Sequence, residues 1–385
     1  SLAAKPYGSG DTASLVETAA NWYFTNNPTD SRKNYDCNGD GYLDGVMCIY
    51  ASPNYYTLYS NSVISYSQID SYSNFWAYAF WRQDTSKKNV TNPGINGFFW
   101  ASFDFMYGYT NVTQRTGNVY YYGDTSHCAI DTHTFIHEMG HVFGLEDYYD
   151  YNDVASPAGS NTMQDHNVGG HDPYSVMALG WADPYIPDES MEISIKPFQE
   201  SGDLILLTPK WNKDDSPFDE YLLLELYTPT GLNQFDSQYG YSGGSTMATT
   251  AGIRVWHVSS ELISLTKEDF VNAPSAGSDV LLCYSNTFAG SDEGHIDWMV
   301  TLYDDISFAD YSLLSYIRNS TTATYKANDK ISSSNMFKAG DTFDMNKFKN
   351  QFVKSGKLDS GDSLGWSFTV KTCSSTGATI QLVKA

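Results

Sequence analysis

The run His137-Glu138-Met139-Gly140-His141, continued by Val142-Phe143-Gly144-Leu145-Glu146-Asp147, constrains this chain more than any other stretch. Residues four apart in a helix share one face, so His137 and His141 point the same way and can hold one metal ion. Glu138 lies beside them, placed to act on a water. Gly144 can end the helix, because glycine turns left-handed at little cost. The chain then swings back and can bring Asp147 to the same ion, with Glu146 and Asp150 next in line as third ligand. Two imidazoles, one carboxylate and an open fourth position are the layout of a catalytic rather than a structural zinc. The bland alternative is an amphipathic helix with two surface histidines. The extension to H-E-x-x-H-x-x-G-x-x-D, and an upstream run 130–136 that fits the start of a buried helix, favour the metal.

A length of 385 residues allows two or more cores. Charged residues are 17% and aromatics 15%, with 30 tyrosines, which describes a folded polar-aromatic chain and not a disordered one. A formal charge of -23 argues against a nucleic-acid partner. It fits simple solubility, or carboxylates that bind calcium. No apolar run reaches the roughly 18 residues a membrane helix needs. Ser1 opens no signal peptide, so the chain reads as mature or trimmed. Cys37, Cys48, Cys128, Cys283 and Cys373 are scattered without C-x-x-C, and their odd number argues against a full disulfide framework. Burial is the default for each.

Residues 11–25 carry a helix signal: Ser14 and Glu17 as a capping box, and Leu15, Val16, Ala19 and Trp22 as the apolar face, stopped by Asn26-Asn27-Pro28. In Asp36-Cys37-Asn38-Gly39-Asp40-Gly41-Tyr42-Leu43-Asp44, oxygen-bearing side chains stand at loop positions one, three, five and nine, with glycine at six. That is most of an EF-hand-type calcium loop, with Asp36, Asn38, Asp40 and Asp44 as side-chain ligands and Tyr42 offering its carbonyl. Met47 at position twelve excludes a full EF-hand, and residues 45–51 have the length of a buried strand. The alternative is a metal-free Asp/Asn/Gly turn. Residues 54–75 read as loop or irregular strand. Residues 75–81 read as an aromatic-rich strand, expected as core in preference to a stacking platform for sugar or peptide, and 97–103 as a further strand. Residues 104–124 read as loop. Asn89-Val90-Thr91 and Asn111-Val112-Thr113 match glycosylation acceptors. After the metal helix and a Gly/Ser/Asn loop over 154–170, Ser175-Val176-Met177 stands where metzincins place the Met-turn, its methionine packed under the imidazoles.

Four stretches now carry a resemblance: Asp36 to Tyr50, His137 to Asp150, His171 to Trp181, and Gly252-Ile253-Arg254-Val255-Trp256-His257-Val258. The chain resembles the immune-inhibitor-A-type secreted metallopeptidases, a bacterial family of zinc endopeptidases with a metzincin-like catalytic domain. The resemblance implies His137, His141 and Asp147 as zinc ligands, Glu138 as the catalytic residue, bound calcium and an extracellular setting. The stretch before Asp36 is short for the family, which implies that part of the N-terminal catalytic layer lies outside this sequence. No tyrosine follows Met177, where several metzincins have an oxyanion donor; Tyr149 and Tyr174 are the candidates here.

Asp183-Pro184-Tyr185-Ile186-Pro187 reads as a boundary. Beyond it come strand-like runs at 191–195, 203–207, 220–226, 252–258, 367–370 and 378–382, with a long loop expected at 233–250. His257 reads as a satisfied core histidine. The expected fold is α+β: a metzincin-like catalytic domain over 1–186, a twisted sheet plus the active-site helix, followed by a β-rich, sandwich-like region over 187–385. The expected function is secreted zinc endopeptidase acting on protein or peptide substrates, with zinc catalytic and calcium structural. The alternative is a non-catalytic binding or adhesion module that recognises host surface protein or glycan. Cleavage preference and oligomeric state are not legible.

Overall fold

The computed structural model describes residues 9–72, 74–82, 84–107, 115–116, 119–120, 132–151, 155–167, 169–212, 218–238, 246–265, 280–288, 311–324 and 327–385. The acceptor at Asn111, Cys128 and the Ile130-Asp131 pair lie outside them. The chain is a mixture of helices and several sheets, as an α+β class requires. It divides into two compact units, Ser1–Leu145 and Glu146–Ala385.

The first unit contains α1 (Ser9–Asn26), β1 (Val46–Tyr50), α2 (Tyr55–Ser60), β2 (Tyr78–Trp81), β3 (Gly97–Ser102), a short antiparallel pair β4 (Arg115–Thr116) and β5 (Val119–Tyr120), and α3 (His133–Val142). Its sheet has the order β1-β3-β2, with β3 parallel to β1 and antiparallel to β2. Every residue of β3 is buried, because both faces are covered. The period of two sends Phe98 and Trp100 to one face, where they meet Ala13 and Val16 of α1. Phe99 and Ala101 go to the other, where they meet Phe135 and Val142 of α3. The aromatic runs are thus mainly core, as expected: Phe75 is buried, and Trp100 stacks on Tyr50 at 4.7 Å.

Several local expectations are corrected. Ser14 and Glu17 are not a capping box, because α1 is already under way; the Ser14 carbonyl accepts from the Thr18 hydroxyl, and Glu17 pairs with Arg32 at 3.4 Å and Arg82 at 3.5 Å. Of the expected apolar face only Val16 is buried, while Leu15, Ala19 and Trp22 face solvent. The helix presents the stripe Ala13, Val16, Ala20 instead, whose small side chains let it sit close on the aromatic sheet. Strand β1 is half-buried at an edge, with Met47 and Ile49 exposed. The 54–75 region is not irregular: Asn54 accepts from the Thr57 N–H and caps α2, and a 3-10 turn follows at Tyr66–Tyr72. Cys37 is exposed and not buried; Cys37, Cys48, Cys283 and Cys373 are free thiols.

The second unit contains α4 (Pro173–Ala178), β6 (Met191–Ile195), α5 (Phe198–Ser201), β7 (Ile205–Leu207), β8 (Glu220–Tyr227), α6 (Gln234–Gln238), β9 (Gly252–Ser259), β10 (Ile263–Leu265), β11 (Val280–Leu282), β12 (Leu314–Tyr316), β13 (Thr342–Phe343), β14 (Trp366–Cys373) and β15 (Ala378–Lys384). Two four-stranded sheets, β12-β9-β8-β7 and β13-β14-β15-β6, contribute to one core. Leu222, Leu224, Ile253 and Val255 come from the first, Phe343, Phe368, Val370 and Ile380 from the second. β10 pairs with β11 apart from these. Strands β14 and β15 begin with buried and part-exposed residues in alternation, but β8 and β9 are buried throughout. Their second face is covered by Tyr148, Ala158, Tyr174, Val176, Met177 and Ile186. Residues 146–186 are therefore grouped with the β-rich strands in the second compact unit, which begins at Glu146. The expected 233–250 loop includes the short helix α6.

Candidate metal centre

Phe135, Met139 and Val142 pack α3 against the sheet and so set its rotation about its own axis. His137 and Glu138 are each 7% exposed, and His141 is half-buried. A surface helix with solvated histidines does not look like this. The two imidazoles meet edge to face with centroids 4.7 Å apart, and their Nε2 atoms are 3.1 Å apart.

The exit from α3 is a Schellman turn. Gly144 has φ +96, its N–H donates to the His141 carbonyl, and the Leu145 N–H donates to the Gly140 carbonyl. A Cβ at Gly144 would meet nothing within 4 Å, so the glycine is required by its backbone conformation and not by space. The turn also lays the Leu145 carbonyl 2.8 Å from His141 Nδ1. A carbonyl only accepts, so Nδ1 carries the proton and the neutral ring presents a lone pair at Nε2. Three residues further on, Tyr148 is buried and its N–H donates to the Gln164 carbonyl, while its own carbonyl accepts from Asn286. Asp147 stands between these anchored points. One ligand atom each from His137, His141 and Asp147 lie within 4.8 Å of one another. The Tyr151 hydroxyl donates to Asp147 Oδ2 at 2.7 Å.

Neither Leu145 nor Tyr151 was singled out in the sequence. A backbone carbonyl leaves no trace in residue identity; Tyr151 stands four residues after Asp147, a spacing that a search for helix-like partners would have reached. The other acids near the motif are engaged elsewhere. Asp150 accepts from the Ala155 N–H at 3.1 Å, and Asp165 accepts from Ser160 N–H at 2.8 Å. Asp172 caps α4 through the Ser175 N–H at 2.9 Å. Glu146 is exposed.

Tyr149 is half-buried, its ring 5.5 Å from that of Tyr151. Tyr174 and Met177 pack against the apolar cluster of the second unit, and burial raises the Tyr174 hydroxyl well above its ordinary pKa. Among the described residues, the metal-ligating side chains that converge are those of the His137 group and of a second group in the β-rich unit; Asp36, Asp40 and Asp44 do not form a third. Their loop is nonetheless ordered by its own oxygens. Asp36 accepts from the Asp40 and Gly41 N–H groups at 3.0 and 3.1 Å, Asn38 from Asp40 N–H at 2.9 Å, and Asp44 from Cys37 N–H at 2.9 Å. Gly39 and Gly41 have φ +72 and +89, and Gly41 could be nothing else, since a Cβ there would stand 2.9 Å from the Asn89 nitrogen.

Compared with protein-family models and with curated proteins, the sequence matches none.

Proposed function

We propose that this chain is a secreted zinc endopeptidase of the immune-inhibitor-A type, with His137, His141 and Asp147 as zinc ligands and Glu138 as general base. The observation that carries the reading is the convergence of two Nε2 atoms 3.1 Å apart with an Asp147 oxygen. Two donors about 2.0–2.1 Å from one tetrahedral ion stand roughly 3.3 Å apart, so the residues present fit zinc with little adjustment. Zinc held there would supply Lewis acidity and an acidified water, with a pKa near about 7.

The remaining work belongs to the chain. The Leu145 carbonyl keeps the proton on His141 Nδ1 and leaves Nε2 for the ion. Tyr151 orients Asp147. Glu138, buried next to His137, takes the proton from water and returns it to the leaving amine. Tyr149 is the favoured oxyanion donor of the two candidates, because its ring neighbours Tyr151 whereas Tyr174 belongs to the apolar core. Met177 as the Met-turn, calcium at Asp36, Asn38, Asp40, Tyr42 and Asp44, and protein substrates belong to the same proposal.

The deciding experiment is hydrolysis of a denatured protein substrate by wild-type and Glu138→Gln chains, each with zinc content measured. Chelator-sensitive cleavage by the wild type alone, with equal zinc in both, supports the assignment. Undiminished cleavage by Glu138→Gln defeats it. Zinc bound without cleavage of any substrate leaves the non-catalytic binding module in its place.

A further inference from the structure

The β-rich unit holds a second convergence of metal-binding groups, Glu220, His257 and Asp359, each with one ligand atom within 4.8 Å of the others. Glu220 opens β8, and His257 lies on β9 opposite Leu222, so the two are diagonal neighbours on one face of the sheet. Asp359 comes from the loop before β14, folded back by the Leu358 N–H on the Asp362 carbonyl and the Gly361 N–H on the Leu358 carbonyl. All three are buried; Asp359 is 6% exposed.

Glu220 and His257 alone are an ordinary buried pair, with Nε2 and Oε1 2.7 Å apart. This much bears out the reading of His257 as a satisfied core histidine. The Glu220 carboxylate also accepts from the Asp359 N–H and from the Ser360 N–H at 2.9 Å. Asp359 is what the pair does not explain. It is a second carboxylate beside the first, and its Oδ1 has no hydrogen-bond partner among the described residues. A buried oxygen without a donor is costly to the fold, more so when charged. Two carboxylates face one imidazole, and a proton there leaves one negative charge uncompensated.

We propose that Glu220, His257 and Asp359 form a second, buried site for a divalent cation of the zinc class. Two carboxylates, a neutral imidazole and a dication sum to zero charge, which suits a buried location. An imidazole donor favours zinc-like ions over calcium, which takes oxygen ligands. The unpartnered Asp359 Oδ1 supplies the third donor. Shared tetrahedral coordination would open the 2.7 Å Glu220–His257 contact by roughly 0.6–0.9 Å, for donors at about 2.0–2.2 Å. The site is structural in character: it ties a loop near the C-terminal end of the chain to two central strands.

The test is independent of the peptidase reading. Crystals of the full chain grown with zinc are measured on both sides of the zinc absorption edge. An anomalous peak enclosed by Glu220, His257 and Asp359 is expected, and its absence from zinc-saturated crystals overturns the proposal. In solution, a His137→Ala/His141→Ala chain is expected to retain one zinc after dialysis. Adding His257→Gln should lose that zinc. If the double variant retains none, or the triple variant still holds one, the assignment is wrong. Should the triple variant fail to fold, the wild-type anomalous map still decides.

Discussion

The two histidine–carboxylate clusters are built from similar groups by opposite means. His137, His141 and Asp147 lie within eleven consecutive residues, on one helix and its exit turn. Glu220, His257 and Asp359 come from two strands and a distant loop, and all three are buried. In the first, local backbone geometry does the positioning, and Asp147 and His141 stay half-buried. In the second, strand register and loop closure do it, and water is kept away from every member. A cluster assembled locally can afford an open side for a reactant. One assembled from distant parts ties those parts together, so its loss is felt in the fold.

The largest effect expected is on turnover. Glu138→Gln should lower the hydrolysis rate about 10²–10⁴-fold, the range for a lost proton-transfer group, with zinc content unchanged. The contrast in folding comes next. His257→Ala leaves two buried carboxylates facing each other and should destabilise the β-rich unit by about 3–5 kcal/mol in denaturant titration with chelator present. His141→Ala, measured in the same way, should cost only about 1 kcal/mol, the worth of its bond to Leu145. Equal costs at the two histidines would erase the distinction between the clusters. Gly144→Ala should cost about 1–2 kcal/mol, since alanine resists the positive φ, and should weaken zinc binding by shifting Asp147. The smallest change expected is for Tyr151→Phe: the loss of one bond to Asp147 should weaken zinc binding about 10-fold in a competition titration, with little change in stability. If zinc binding is untouched, Tyr151 does not hold the ligand.

How far each region could be read beforehand follows from how it is built. The H-E-x-x-H helix and its glycine exit were legible because 3.6-residue periodicity and the left-handed turn are properties of a few consecutive residues. Strand β3 was legible because its run is apolar on both faces. The existence of α1 was legible but its buried face was not. Leu15, Ala19 and Trp22 form as good a helical stripe as Ala13, Val16 and Ala20, and only the close aromatic sheet prefers the smaller one. Met47 and Ile49 looked buried because an edge strand and a central one have the same composition. Pro184 and Pro187 punctuate the chain and read as a boundary, whereas the packing of Tyr148, Tyr174 and Val176 with β8 and β9 groups that stretch with the second compact unit.

By itself, the amino-acid sequence determined the helix that carries His137 and His141, its C-terminal turn and the main strands of the β-rich unit, because short-range sterics and hydrophobic period act within about ten residues. Only the tertiary structure decided that the Leu145 carbonyl fixes the His141 tautomer, which face of α1 is covered, and that Glu220, His257 and Asp359 meet. Those outcomes depend on which surfaces exclude water from one another and on how strands align. Neither is encoded in any single stretch of chain.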